Sequence, residues 1–266
     1  MKKIISFLYL VIIVKLAAFS QQDPQFTNNM FYKLGVNPGV AGAEGKINGI
    51  ILNRYQWSGG EGAPKTLVFS ADAAINAFGS PGGLGLNIVS DELGFEKNTQ
   101  INANYAYSKA LGNKKLGIGL SLGLMNKSIN GEWEVPEDDF GIYTQPGSDP
   151  GIPQGDVSQM ALDVGFGLYL SANQYYVGAS MTHINQASIK FSDLASTYLA
   201  RHYYLMGGYN IKLSDPLFEL RPSFLFKTDA ASWQLDLNAN IVFNERFWGG
   251  ITYRVQDAIA LLLGME

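Results

Sequence analysis

The only two histidines of the 266-residue chain are His183 and His202. An imidazole serves as a general base or as a metal ligand near neutral pH. For hydrolysis it needs a nucleophile and an orienting acid within reach. Serines are common, and the one Gly-x-Ser-x-Gly run, Gly119-Leu-Ser121-Leu-Gly123, falls inside an alternating strand pattern with no helix after it, so it makes no nucleophile elbow. For a metal it needs a third ligand at a recognisable spacing, and neither histidine has one nearby in sequence. There are no cysteines, which excludes disulfides and thiolate sites. Gly83-Leu-Gly-Leu86 has phosphate-loop spacing, yet it lies inside a strand pattern with no helix after it. It reads better as lumen-facing glycine, where a wall bends or a plug approaches. The expectation is a non-enzymatic protein with no catalytic residues, no cofactor and no metal, which acts by binding.

One stretch has the chemistry of a docking surface. Between Lys127 and Asp156, Trp133, Phe140 and Tyr143 are interleaved with Glu132, Glu134, Glu137, Asp138, Asp139 and Asp149. Aromatic rings set among acids suit an interface, and a solvated loop explains them equally well. Calcium binding through Glu137, Asp138 and Asp139 lacks the EF-hand spacing. Trp133, Phe140, Tyr143, Glu137, Asp138 and Asp139 are the candidate partner-binding residues.

The elements that must carry these groups alternate apolar with small or polar residues at period two, which places successive side chains on opposite faces of a strand. Leu116, Ile118, Leu120, Leu122 and Leu124 alternate with Gly117, Gly119, Ser121, Gly123 and Met125. Leu162, Val164, Phe166, Leu168 and Leu170 oppose Gln159, Asp163, Gly165, Gly167 and Ser171. Trp233, Leu235, Leu237, Ile241 and Phe243 oppose Gln234, Asp236, Asn238, Asn240 and Asn244. About twelve strands follow by this pattern, most of them near the ~9–11 residues a tilted strand needs to cross a bilayer. They are expected near 46–56, 64–75, 82–91, 99–109, 115–126, 157–171, 175–184, 201–212, 217–227, 233–243, 247–255 and 258–264.

Short turns (76–81, 110–114, 172–174) alternate with long connections (57–63, 92–98, 127–156, 185–200) through the first eight strands. Outer-membrane barrels have short periplasmic turns and longer external loops; a soluble sandwich has no reason to keep such parity. The fold class expected is all-β: a transmembrane antiparallel up-and-down β-barrel. The outward row should include Ile118, Leu120, Leu122, Leu124, Leu162, Val164 and Phe166. Asp72, Asp163, Glu219, Arg221, Lys227, Asp236 and Arg254 should face inward, where they pair or hydrate. Tyr105, Tyr107, Tyr169, Tyr175, Tyr203, Trp233, Phe247 and Tyr253 fall near strand ends, as an interfacial girdle requires.

The first twenty residues read as a signal peptide: Lys2 and Lys3, an apolar run from Ile4 to Val14, then Ala18-Phe-Ser20. The domain division is therefore 1–20 signal peptide, 21–45 N-terminal periplasmic segment and 46–266 barrel. Three of the 19 Lys and Arg lie in residues 1–20, leaving 16 against 23 acids, a net of −7. Nucleic-acid binding, which needs clustered bases, is disfavoured.

Ordered motifs along the chain add a resemblance. They are Gln21-Gln-Asp-Pro-Gln-Phe26, Asn37-Pro-Gly-Val-Ala-Gly42, Arg54-Tyr-Gln-Trp57, Gly62-Ala-Pro64, Gly83-Leu-Gly-Leu86, Asn104-Tyr-Ala-Tyr107, Arg221-Pro-Ser223 and Trp248-Gly-Gly-Ile-Thr-Tyr-Arg254. In this order they resemble the PorP/SprF family of type IX secretion system membrane proteins. The resemblance implies an outer-membrane component of a Gram-negative bacterium. It also implies partners among secreted adhesins, in gliding motility, or among other type IX secretion components. The family barrel is expected to have about 14 strands. This chain stops at Leu261-Leu-Leu-Gly-Met-Glu266 without a terminal Phe or Tyr. The expectation is either a truncated chain or a divergent end. The alternative function is a small porin or a transporter of hydrophobic solutes.

Overall fold

The computed structural model describes residues 23–77, 79–131, 155–192 and 194–265. Their strands are β1 (Asn48–Tyr55), β2 (Lys65–Ala77), β3 (Ser80–Leu93), β4 (Glu96–Leu111), β5 (Lys114–Gly131), β6 (Gly155–Ser171), β7 (Tyr175–Thr182), β8 (Ser188–Lys190), β9 (Ser196–Tyr198), β10 (His202–Tyr209), β11 (Ile211–Lys212), β12 (Phe218–Thr228), β13 (Trp233–Phe243), β14 (Phe247–Arg254) and β15 (Ala258–Met265). One antiparallel sheet runs β1 through β7, then β10 and β12 through β15, each strand beside its predecessor. This is the expected up-and-down order of a β-barrel wall. The small β11 extends one edge of the β12 pairing, and β8–β9 form a separate hairpin inside the 183–201 connection.

Period-two sequence produces the two faces directly. In β5, Ile118, Leu120, Leu122 and Leu124 are exposed while Gly117, Gly119, Ser121 and Gly123 are buried between them. The β5–β6 register, Leu122 opposite Val164 and Ser121 opposite Gly165, keeps apolar residues together on the outside. An apolar outer face and a small, polar inner face is the inverse of a soluble core, and it suits lipid as solvent. Asp72, Asp163, Lys227 and Asp236 are buried on the inner face, as expected.

The structure departs from the sequence reading in several places, one being the expected 127–156 connection, where β5 continues to Gly131 and β6 begins opposite it at Gly155. The long connection expected at 92–98 is a two-residue turn, Gly94-Phe95, because the β3–β4 ladder continues to Leu93 opposite Glu96. Polar cross-strand pairs extend that ladder, with Lys97 2.8 Å from Glu92 and Lys127 2.8 Å from Glu96. The strand expected over 201–212 divides at Asn210, where β10 ends and β11 begins. Tyr169, assigned to the girdle, points inward and packs against Tyr176. Its parity is opposite to that of Leu168 and Leu170, so it could not share their lipid face. Tyr107, Tyr203, Trp233, Phe247 and Tyr253 are exposed near strand ends.

Candidate functional site

Residues 23–47 lie on the inner face of the curled sheet and touch strands from β2 to β14. At the short-turn end, Pro38–Val40 forms a single 3-10 turn capped by Asn37. The Asn37 Oδ1 accepts from the Gly39 amide at 2.9 Å, and its Nδ2 donates to the Leu168 carbonyl at 3.0 Å. Gly39 rests on the glycine floor of the wall. A Cβ at Gly117 or Gly119 would strike the backbone of Gly39 or Pro38, and one at Gly167 would strike Asn37. Gly83, in the false phosphate loop, meets the backbone of Ala41 and Gly42 in the same way. Here the reading of lumen-facing glycine beside an approaching segment agrees with the geometry.

Further along, polar pairs fasten the segment. The Gly42 amide donates to Asp72 Oδ2 at 2.8 Å. Tyr32 donates its hydroxyl to Asn87 at 2.6 Å, and Ser180 donates to the Val36 carbonyl at 2.6 Å. Lys33 sits 4.2 Å above the Tyr176 ring, and Phe31 packs on Trp248. Asn29 donates to Asp236 at 3.1 Å, and Asp236 is also held by Arg254 through Nε at 2.9 Å and Nη2 at 3.1 Å. These bonds satisfy inward charges that would otherwise be costly to bury.

The segment reaches the long-loop end at Asp23. Its carboxylate lies 3.3 Å from His183 Nε2 and 3.7 Å from His202 Nδ1, and accepts from the Tyr204 hydroxyl at 3.1 Å. Lys227 Nζ donates to the Asp23 carbonyl oxygen at 3.2 Å. His183 Nδ1 is 2.8 Å from Asp163, which also accepts from Gln100 at 2.8 Å. Burial alone would lower the pKa of His183, but the charges of Asp23 and Asp163 and their hydrogen bonds outweigh it and raise it to about 10. Burial alone would raise that of Asp23, but the charge and hydrogen bond of His183, with His202 and Lys227, hold it well below the usual carboxylate range.

The sequence placed His183 and His202 at strand ends beside the 185–200 loop; His183 stands just past the end of β7 and His202 opens β10. It did not reveal Asp23 as their companion, because 160 residues separate Asp23 from His183. The one signal was its position in the segment ahead of the first strand. Trp133, Glu137, Asp138, Asp139, Phe140 and Tyr143 all lie outside the described residues, as do residues 1–20. Of the other inward charges, Glu219 pairs with Arg221 at 2.9 Å. Ionic and polar pairing inside a narrow interior accounts for these groups.

A family model described as "Type IX secretion system membrane protein PorP/SprF" matches residues 18–266. No curated protein matches the chain.

Proposed function

Because the chain belongs to the PorP/SprF family of type IX secretion system membrane proteins, we propose that it serves that system by holding a partner rather than by chemistry. Membership makes it an outer-membrane component of type IX secretion, with strands as its membrane-crossing elements. The proposed partner is a secreted surface adhesin or another component of the system. The proposed dock is the acidic and aromatic stretch between the ends of β5 and β6, and residues 23–45 act as an internal plug.

The observation that carries this reading is the occupied lumen. Residues 23–47 are bonded to β2, β3, β6, β7, β12 and β13 along their length. A filled interior leaves the external connections as the surfaces open to a large partner. Trp133, Phe140 and Tyr143 supply the kind of ring that dominates interface energies.

Deleting residues 130–152 tests the dock. The shortened protein should remain folded, read as a heat-modifiable band on a gel, and should no longer co-purify with or retain a secreted partner at the cell surface. Normal retention would transfer the dock to the N-terminal segment. The porin alternative has one observation in its favour. A cavity of ≈ 800 Å³ lies between the segment and the wall, lined by charges of both signs including Lys33, Glu44, Asp72 and Arg221. Steady single-channel conductance of the intact protein would favour that reading.

A further inference from the structure

We propose that Asp23, His183 and His202 form a binding site for one divalent transition-metal ion, zinc by its ligand chemistry, which clamps the start of the N-terminal segment to the wall. The site is independent of which partner the external loops hold. One ligand atom from each residue falls within 4.8 Å of the other two. Tetrahedral zinc with arms of about 2.1 Å holds its ligands about 3.4 Å apart, so closing by about 1 Å completes the set. The Asp23 carboxylate is already 3.3 Å from His183 Nε2 and 3.7 Å from His202 Nδ1, so the remaining closure is between the two rings.

The surroundings of the two rings carry the argument. A metal-binding histidine donates its remaining ring N–H to a carboxylate or a backbone carbonyl, which fixes its tautomer and aims the other nitrogen's lone pair. His183 meets this with Asp163, 2.8 Å from Nδ1, leaving Nε2 toward Asp23, where the metal takes the place of the Nε2 proton and releases it. His202 meets it with the Ala200 carbonyl, 2.9 Å from Nδ1, the nitrogen that also lies 3.7 Å from Asp23, so the ion is held on the Nε2 side of the ring. A carbonyl can only accept, so Nδ1 carries the proton and Nε2 the lone pair of the neutral ring. That Nε2 is buried with no hydrogen-bond partner among the described residues, and the His202 side chain is 2 % exposed. An unpaired buried nitrogen costs stability, which a metal bond would recover. Two imidazoles and one carboxylate match the donor types zinc takes, with an open position for water. Lys227 opposes a cation, but its ammonium is directed at the Asp23 main-chain oxygen, and the charges of Asp23 and Asp163 offset it.

The test uses the full chain refolded in detergent micelles, stripped with EDTA and dialysed against low-micromolar zinc. Bound metal is counted by mass spectrometry, and the ligands are identified by X-ray absorption. The expected result is one zinc per chain with two imidazoles and nitrogen or oxygen partners. Asp23→Asn and His202→Gln should each weaken binding roughly tenfold or more. Zinc should also raise the temperature of the gel-mobility transition in the parent protein and leave it unmoved in both variants. No zinc retained by the parent protein overturns the proposal. Equal retention by the parent and both variants also overturns it, by placing the metal elsewhere. If His202→Gln does not fold, Asp23→Asn carries the test, because it removes only a segment contact.

Discussion

Gly117, Gly119 and Gly167 form a floor without side chains on which Pro38 and Gly39 rest. At Gly117 and Gly119 backbone meets backbone, so a new methyl group cannot be absorbed by swinging a flexible side chain aside. Gly119→Val should therefore lower stability by about 1–3 kcal/mol or lift the segment off the wall. The midpoint of the heat-modifiable gel band measures the first outcome, and protease nicking within residues 23–45 measures the second. Gly49→Ala is the matched control, because a Cβ at Gly49 meets nothing within 4 Å. Its gel midpoint should be unchanged. The same logic explains why a chain rich in glycine forms strands at all. These glycines are poor strand formers by propensity, and the close approach of residues 38–42 is what they permit.

At the scale of the strand, one row of side chains faces lipid and the other faces the segment. Leu120 and Ser121 are adjacent in β5 and have opposite surroundings. Leu120→Arg should cost about 2–4 kcal/mol, the range for arginine near the middle of a lipid-facing barrel strand. Urea-dependent folding into lipid vesicles, followed by tryptophan fluorescence, reads that cost. A change indistinguishable from zero would mean that this row does not meet lipid. The turn at Gly94-Phe95 belongs to the same scale. Loop parity weakens there because β3 and β4 extend their ladder through Glu92–Lys97, so strand length and loop length exchange residues.

At the scale of the molecule, the sheet wraps around one continuous piece of its own chain. The segment begins at the cluster of Asp23, His183 and Lys227 and ends where Asn48 opens β1. The long-loop end is the external end by the usual orientation of such barrels, so the segment runs the length of the interior. Deleting residues 23–45 from refolded protein should open a lumen that planar bilayers report as steady conductance, while the intact protein remains closed. Equal conductance from both would show that the segment does not seal the lumen.

The sequence by itself determined the wall. Alternation in 116–125, 159–171 and 233–244 sets which residues face outward, because a strand has only two faces and lipid admits only one of the two sets. It also determined the family, through motifs ordered from Gln21 to Arg254. The path of residues 23–47 was decided by tertiary structure alone. Their polar groups have no period, and their partners, from Asp72 to Asp236, are distant along the chain. The Asp23 cluster was hidden for the same reason. His183 and His202 were legible as strand-end residues, but a third group arrives only when the sheet curls around the segment and carries Asp23 across 160 residues of separation. Periodicity reports contacts that repeat along an element, and a single contact between distant elements leaves no period to read.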